Sequence, residues 1–549
     1  MPSLRAHRQR RWAPRIFGAL LLASGACSWR PPVDSDETVA SRAAGQFPGG
    51  DAATGTRAAP SPLLPALSPE VSGDVKGHPA TLADATGRPP NVLLVTVDTL
   101  RADHLEPYGY SRPISPEIDD LAAAGVLFTD AITTAPTTAP ALASVLTGRH
   151  IDTHGVRDNH SALPDGLHTL GEAFAAAGYD TAGFYGNGAV RDGFGQGLGR
   201  FEPFGSNWFF RDAAGTDKAI AWLRSAHEPW FLWIHYMDPH GPYRSSPPER
   251  SANLRYPETP ELLRELPFGP GNYAIDAIPK YQRLGDQTRV VDYLRRYDGE
   301  ILGTDAEIGR LRTEIEGSGQ RGRTLVVFTA DHGESLGEDG YFFQHGHLLG
   351  EGSVRVPLIL SHPRLPQGLR VDAGASLLDV FPTLASLVGV ELPEGSEGRD
   401  LGPEIEAARE VPLLAGWARA LRSAFGQSGA ESASGETGGV APGSTVPRLA
   451  YTVTAGRLVS IRRSGFELQG AWSPGEGGGR LQDPVLLDHG MVPPRRVPPD
   501  KHAEVYSLLT DELTVFARQL YPPPIRATPA VRPTEAEDER RLRALGYLD

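Results

Sequence analysis

The chain of 549 residues has a single cysteine, Cys27, so no disulfide bond can form within it. It is also poor in positive charge, because 53 lysines and arginines stand against 67 aspartates and glutamates, giving a formal net charge of −14. Such a surface repels nucleic acid, and we expect no nucleic-acid partner. No apolar run reaches the about 18 residues that a membrane-spanning helix needs.

The first 27 residues predict an export signal. A basic stretch, "MPSLRAHRQRRWAPR", precedes the short apolar run "IFGALLLASGA", which is typical of a signal peptide. Small residues before Cys27 are typical of a bacterial lipoprotein signal, in which that cysteine is lipidated. The alternative is ordinary cleavage near Ala26. We therefore expect an exported protein in the periplasm or on the cell surface, attached to a membrane only through a lipid on Cys27.

The rest of the chain divides by composition into three regions. Residues 28–89 are rich in Pro, Ala, Gly, Ser and Asp, which predicts a disordered tether. Residues 90–400 alternate apolar runs with helical patterns, which predicts an α/β domain with a mainly parallel sheet. Residues 401–549 predict a small α+β subdomain with a disordered insertion at 424–446.

Individual elements can be read from these patterns. The predicted strands of the α/β domain are residues 91–97, 181–186, 230–236, 324–330 and 356–361. The predicted helices are "SPEIDDLAAAG", "LHTLGEAFAAAG", "TDKAIAWLRSA" and "YDGEILGTDAEIGRLRTEIEG". In the C-terminal region, "RLAYTVTAGRLVSIRR" and "FELQGAW" predict hairpin strands, and "DERRLRALGYLD" predicts a closing helix.

Polar side chains follow three of the predicted strands. Asp98 ends the first run, Asp238 and His240 follow 230–236, and Asp331 and His332 follow 324–330. Ligands bind beyond the carboxyl ends of parallel strands. A lone aspartate could instead cap a helix, and His240 could be a turn residue, but an adjacent Asp–His pair is typical of a divalent-cation site.

The stretch "TTAPTTAPALASVLTGRH" (133–150) predicts a helix that ends at Gly148. Thr138, followed by Ala139 and Pro140, is typical of a helix N-cap. A hydroxyl at a helix N-terminus could also touch a metal, lose its proton near neutral pH and act as a nucleophile. Capping and catalysis both stay open at this point.

The ordered series of motifs resembles the sulfatase family of the alkaline phosphatase superfamily over roughly residues 90 to 400. The motifs with family counterparts include "NVLLVTVDTLRADHLEPYGY", "TAPALASVLTGRH", "FLWIHYMDPHGPY", "TADHGESLGE" and "HGHLLGEGSVRVPLIL". The resemblance implies an alkaline-phosphatase-like three-layer sandwich and a metal-dependent hydrolase of sulfate or related esters.

The sequence departs from the family pattern at four positions. Thr138 stands in place of the Cys or Ser that sulfatases convert to formylglycine, and it cannot undergo that conversion. Leu142 stands at the position of the motif's Arg, Asn187 near a usual Lys, and Thr99 where many sulfatases have a second Asp ligand. These changes resemble the phosphoryl-transfer members of the superfamily, several of which use a metal-bound Thr as the attacking group.

These observations predict a reaction and its residues. One divalent metal is bound by Asp98, Asp331, His332 and Thr138, and Thr138 attacks the ester. This ligand set suits Zn²⁺ or Mn²⁺ better than the Ca²⁺ more usual in sulfatases. His345 is the predicted general acid, and His240 is expected to contact the non-bridging oxygens or help bind a second metal.

The predicted substrate is a small anionic ester: a sulfate ester, a phosphodiester or a phosphonate ester, including sulfated or phosphorylated glycans and lipids. Two alternatives remain. One is phosphoryl transfer of the phosphoethanolamine-transferase type, because "DHGESLGEDGYFFQHG" resembles a metal segment of those enzymes. The other is an inactive cell-envelope binding protein that keeps the fold. No pattern indicates the oligomeric state.

Overall fold

The computed structural model describes residues 82–205, 212–244, 253–410, 448–451, 458–463, 466–473, 480–488 and 495–520. The predicted signal peptide, most of the predicted tether, the insertion at 424–446 and the predicted helix at 538–549 lie outside these residues. Among the described helices, none combines the length and the apolar character needed to span a bilayer.

The strands of the α/β domain are β1 (Asn91–Val97), β2 (Gly125–Ile132), β3 (Asp180–Tyr185), β4 (Arg200–Pro203), β5 (Trp230–Tyr236), β6 (Thr324–Ala330), β7 (Ser335–Leu336), β8 (Phe342–Gln344), β9 (Arg355–Ser361), β10 (Leu369–Val371) and β11 (Ala375–Ser376). Within the described chain, nine of them form the central sheet in the order β10-β2-β9-β6-β1-β5-β3-β4, with β11 also paired to β2. β7 and β8 pair separately as a small hairpin.

The central sheet is mainly parallel, as the sequence predicts. β6, β1, β5, β3 and β4 pair in parallel, whereas β9 runs antiparallel to both β6 and β2. Apolar pattern alone does not reveal the direction of β9, because a strand buried on both faces has the same pattern in either direction. β2, β4, β10 and β11 were not predicted.

The helices are α1 (Pro116–Ala123), α2 (Thr138–Thr147), α3 (Ile151–His154), α4 (Leu170–Ala176), α5 (Asp212–Leu223), α6 (Pro260–Leu263), α7 (Val290–Gly317), α8 (Glu351–Val354), α9 (Val380–Val388) and α10 (Ala503–Leu520). All four helices predicted for the α/β domain are present, as α1, α4, α5 and α7. α2 ends as predicted at Gly148, whose φ of 62° favours glycine.

Two helical groups pack around the sheet. α5 and α1 contact α7 in one group, and α2 contacts α3, α4 and α9 in the other. Every residue of β1 and β5 is buried, which requires cover on both faces of the sheet. The arrangement is the predicted three-layer α/β sandwich.

The C-terminal region forms an antiparallel sheet of β12 (Arg448–Tyr451), β13 (Leu458–Arg463), β14 (Phe466–Ser473), β15 (Arg480–Asp488) and β16 (Arg495–Arg496). The predicted hairpin strands are confirmed, and α10, which was not predicted, packs on the sheet. The core of this subdomain also includes Ala135 and Ile151 of the α/β domain. Since these two residues flank α2, the subdomain supports the helix that begins at Thr138.

The folded region begins earlier than the sequence predicts. Leu82 belongs to the main hydrophobic core, and its N–H donates to the carbonyl of Leu387 at 2.7 Å. The predicted tether boundary at residue 89 is therefore too late, because the last residues of that segment already pack on α9.

Candidate active site

Three predicted metal ligands meet at the carboxyl ends of neighbouring strands. Asp98 follows β1, and Asp331 and His332 follow β6. The two strands pair in parallel with Val97 opposite Ala330, which sets the following residues side by side. One ligand atom from each of Asp98, Asp331 and His332 lies within 4.8 Å of the others. We call these three residues the metal triad.

The metal triad has unsatisfied ligand atoms that fit a cation. Asp98 Oδ1 and Asp331 Oδ2 are buried without a hydrogen-bond partner among the described residues. The other oxygen of Asp331 accepts hydrogen bonds from the backbone N–H groups of Thr99 and His332. His332 Nδ1 donates to the carbonyl of Gly333 at 2.9 Å, which leaves the Nε2 lone pair 3.5 Å from Asp331 Oδ2. Carboxylate oxygens and an imidazole nitrogen suit a divalent transition metal.

The electrostatics of the two carboxyl groups also favour a bound cation. Burial raises the pKa of Asp331 well above its usual range, and the neighbouring charge of Asp98 adds to the rise. Burial also acts to raise the pKa of Asp98, but His240, His235 and His332 outweigh it, and the pKa of Asp98 is lowered. Two adjacent carboxylates in a dry site can both ionise only if a positive charge joins them.

Thr138 lies at the metal triad and does not cap its helix. It is the first residue of α2, the N-cap position belongs to Thr137, and a free N–H of this terminus donates to Asn159 Oδ1 instead. Thr138 Oγ1 lies 3.5 Å from His332 Nε2 and accepts a hydrogen bond of 3.2 Å from Asn187 Nδ2. The capping interpretation of Thr138 is therefore wrong, and its hydroxyl is directed to the metal triad.

Asn187 connects two of these groups. It follows β3, and its Nδ2 donates both to Thr138 Oγ1 and to Asp98 Oδ2. Its own Oδ1 accepts from the backbone N–H of Ala189 at 2.8 Å, which fixes the orientation of the amide. The sequence drew attention to Asn187 only as the replacement of a lysine, and gave it no role.

His240 and His345 come together beside the metal triad. The ring of His345 lies 4.6 Å from that of His332 and 5.0 Å from that of His240, measured between centroids. His240 Nδ1 donates to the carbonyl of Gly241 at 2.6 Å, and His345 Nδ1 lies 3.0 Å from Glu334 Oε1. Each ring is thus oriented through Nδ1, as in many sites whose Nε2 faces a ligand.

The pKa of His345 differs from the expectation for a general acid. Burial, followed by the charges of His332 and His240, lowers the pKa of His345 well below its usual range. Burial raises the pKa of its partner Glu334 to about 7, and Glu334 also accepts from the hydroxyl of Tyr243 at 2.9 Å. The proton available near neutral pH therefore belongs to the Glu334–His345 pair, not to an isolated imidazole.

Two residues of the site were missed in the sequence. Glu334 lies two positions after His332, in the same turn, and that spacing was its signal. His235 lies in β5 opposite Thr96 of β1, and its Nε2 is 3.7 Å from Asp98 Oδ2. Its signal was an ionisable side chain inside an otherwise apolar strand.

The sequence also singled out His347, Leu142 and Thr99, and these three residues are not part of the metal triad. The ring of His347 lies against that of Tyr273, 4.0 Å away between centroids and tilted by 54°. Leu142 is fully buried in the core. Thr99 has a φ of 55°, and its hydroxyl has no hydrogen-bond partner among the described residues. Within the described chain, the metal triad is the one group of three acidic, histidine or cysteine side chains close enough to hold a cation, so no second metal site is evident there.

Comparisons with known proteins agree with this geometry. Residues 90–390, more than half of the chain, match the family described as Sulfatase. A protein named "Sulfatase" from Formosa agariphila is 28% identical over 376 residues, which cover 57% of this chain and 72% of that protein.

Two solved structures share the fold. One is a protein in complex with its substrate D-glucosamine-2-N,6-O-disulfate, with a TM-score of 0.62 and 18% identity, covering 79% of this chain and 98% of the other. The second is the phosphonate monoester hydrolase of Agrobacterium radiobacter, with a TM-score of 0.58 and 20% identity, covering 78% of this chain and 96% of the other.

Proposed function

Because this chain belongs to the sulfatase family, a family of hydrolases acting on ester bonds, we propose that it cleaves a singly charged anionic ester with Thr138 as the nucleophile and one divalent cation as cofactor. The observation that carries the proposal is the position of the Thr138 hydroxyl. It lies 3.5 Å from His332 Nε2, in contact with Asn187, and it has no capping role.

Asp98, Asp331, His332 and Thr138 would hold the cation. When bound, a divalent cation supplies Lewis acidity that lowers the pKa of a coordinated hydroxyl and balances the charge of an anionic ester. Asn187 donates a hydrogen bond to Thr138 Oγ1, and this contact strengthens as the oxygen gains negative charge. Asn187 and the metal triad together hold the nucleophile in one orientation.

The reaction has two steps. Thr138 Oγ releases its proton to solvent and forms a bond to phosphorus or sulfur while the bond to the leaving oxygen breaks. His345, oriented by Glu334, would protonate that leaving oxygen, and His240 would contact the non-bridging oxygens. Water then attacks phosphorus or sulfur, the bond to Thr138 Oγ breaks, and a proton from the attacking water passes to the Thr138 oxygen.

The chemistry of the covalent intermediate favours phosphorus over sulfur. A sulfo-threonine lacks the route by which a formylglycine hydrate expels sulfate, whereas water can hydrolyse a phospho-threonine. The neutral side chains of Leu142 and Asn187 also supply no positive charge near Thr138, which favours a substrate with one negative charge. A phosphodiester or phosphonate ester is therefore our first candidate, and a sulfate monoester is the second.

The test is an assay of the full chain with an aryl phosphodiester, an aryl phosphonate ester and an aryl sulfate, with and without Zn²⁺, Mn²⁺ or Ca²⁺. We expect metal-dependent cleavage of a phosphorus ester. Thr138→Ala should lower kcat at least about 10³-fold, because it removes the nucleophile. Thr138→Ser keeps the hydroxyl and should retain much more of the activity.

Metal content, measured in each protein, separates the outcomes. Thr138→Ala should keep a divalent ion through the metal triad, so that loss of activity is not loss of metal. Sulfate cleavage that depends on Thr138 would overturn our choice of phosphorus. Equal activity in wild type and Thr138→Ala, or no metal after reconstitution, would reject the proposed hydrolase and leave the inactive binding protein.

A further inference from the structure

Exposure of the described side chains increases from Thr138 past His345 and His347 to Tyr273. Thr138 and the metal triad are fully buried, His240 and His345 are 7% exposed, His347 is 8% exposed, and Tyr273 is 52% exposed. This order of burial gives one direction from Thr138 to solvent, past His345 and His347. A substrate that approaches Thr138 from this side extends over these rings.

The aromatic side chains in this direction are in contact with each other. The Tyr273 ring lies 4.0 Å from the His347 ring between centroids, and the Tyr341 ring stacks on His347 at 5.8 Å with an interplanar angle of 26°. His347 Nδ1 donates to the carbonyl of His345 at 3.0 Å. The exposed ring of Tyr273 therefore contacts His347, and His347 in turn is hydrogen-bonded to His345, the predicted general acid.

The segment that carries Tyr273 is held in place by hydrogen bonds. The backbone N–H of Ala274 donates to Gln344 Oε1 at 3.3 Å, and Gln344 Nε2 donates to the carbonyl of Ala274 at 2.6 Å. The N–H of Asp276 donates to the carbonyl of Gly340 at 2.7 Å. The segment that carries Tyr273 is thus docked on β8, the strand that leads to His345. A second large apolar side chain, Ile275, is 45% exposed beside it.

We propose that Tyr273 and His347 form the subsite for the leaving group of the ester, and that this leaving group carries a ring with a flat apolar face. The proposal rests on the proposed function. If His345 protonates the leaving oxygen, the rest of the leaving group lies on the His345 side, which is the side of Tyr273. Aromatic side chains stack on flat rings, and Ile275 extends the apolar surface. A pyranose and an aryl group share this chemistry.

The experiment measures binding in Thr138→Ala, which separates the subsite from turnover. The probes are the phenyl, glucose-6 and methyl esters of sulfuric acid and of methylphosphonic acid, titrated by calorimetry with metal present. We expect the ring esters to bind more tightly than the methyl ester. Adding Tyr273→Ala should weaken the ring esters by about 3- to 10-fold and leave the methyl ester unchanged. Tyr273→Phe keeps the stacking face and should bind as well as tyrosine.

A second measurement uses the otherwise wild-type chain. Tyr273→Ala should raise KM for a 4-nitrophenyl ester with little change in kcat, whereas Leu392→Ala, at another exposed apolar side chain, should change neither. If Tyr273→Ala weakens binding of the phenyl ester alone, the subsite is for aryl groups. If it weakens binding of the glucose ester alone, the subsite is for sugars. If the enzyme is active and Tyr273→Ala leaves its preference for ring esters unchanged, this inference is wrong but the proposed function stands. Failure of every ester to bind would reject the proposed function with it.

Discussion

At the residue scale, the side chain that donates to Thr138 is a neutral amide, that of Asn187. Asn187 donates to both Thr138 Oγ1 and Asp98 Oδ2 with one nitrogen, and its orientation is fixed by the N–H of Ala189. It therefore fixes Thr138, the proposed nucleophile, and a carboxylate of the metal triad relative to one another. A lysine at this place would add positive charge and favour a more highly charged ester.

Asn187→Ala should lower kcat/KM by about 10- to 100-fold. The change removes a hydrogen bond to an oxygen that becomes charged and leaves Asp98 Oδ2 without its donor, at about 1.5–3 kcal/mol for such a bond. Steady-state kinetics on the best ester of the panel measures it. Asn159→Ala is the control, because among the hydrogen bonds of the described residues Asn159 accepts one from the N–H of Ala139 in α2 and none from Thr138. Equal kinetics in wild type and Asn187→Ala would remove Asn187 from the mechanism.

At the element scale, one helix provides the cap of another. The N-cap residue of α1, Ser115, makes no side-chain cap, and Asp305 in the middle of α7 does so instead. Its Oδ1 accepts from the N–H groups of Glu117 and Ile118 at 3.1 and 2.9 Å. Burial raises the pKa of Asp305 to about 7 despite these hydrogen bonds. The two helices are therefore joined through a carboxyl group that is costly to ionise.

Asp305→Asn should make stability less dependent on pH. Since the pKa of Asp305 in the folded state, about 7, lies above its ordinary 3.8, the folded state binds the extra proton between these values. The contribution of the Asp305 carboxyl to the free energy of unfolding is complete below pH 3.8. It is lost as pH rises through 7, and the loss amounts to about 4 kcal/mol. Melting temperatures at pH 5 and pH 8 measure it. The wild type should fall more over this interval than Asp305→Asn, and a parallel fall would contradict the raised pKa.

The elements and the centre of the site could be predicted because their signals are local. Asp98, Asp331 and His332 each end an apolar run, and parallel strands bring such ends together. Asn187 and Glu334 received no role, because their contacts depend on how the loops after β3 and β6 face each other. Tyr273 was missed for a stronger reason: its segment reaches His347 only by docking on β8, a contact between distant parts of the chain. The hydrogen bonds from Asp305 to α1 were missed for the same reason, because they too join distant parts of the chain.

At the scale of the whole molecule, ion pairs of the buried Arg462 connect the C-terminal sheet to the α/β domain. Arg462 of β13 is 3% exposed at its side chain and pairs with Asp130 at 3.3 Å, with Glu467 at 2.7 Å and with Glu351. Asp130 belongs to β2 and Glu351 to α8, so the ion pairs cross between the two parts. Beside them, Ala135 and Ile151 complete the core of the subdomain.

Arg462→Met should therefore affect both stability and catalysis. The change leaves the buried Glu467 without its cationic partner, and breaking such a pair costs about 3–5 kcal/mol. Because Ala135 and Ile151 flank α2, a loosened subdomain should also loosen the position of Thr138, so that kcat falls while the metal content of the triad stays the same.

Arg409→Met is the matched control, since Arg409 is 60% exposed and pairs only with Glu406 among the ion pairs described here. Such a surface pair contributes about 0–1 kcal/mol. Thermal unfolding, kcat and bound metal, measured together, decide the point: a large loss of stability with kcat unchanged would mean that the subdomain does not position Thr138.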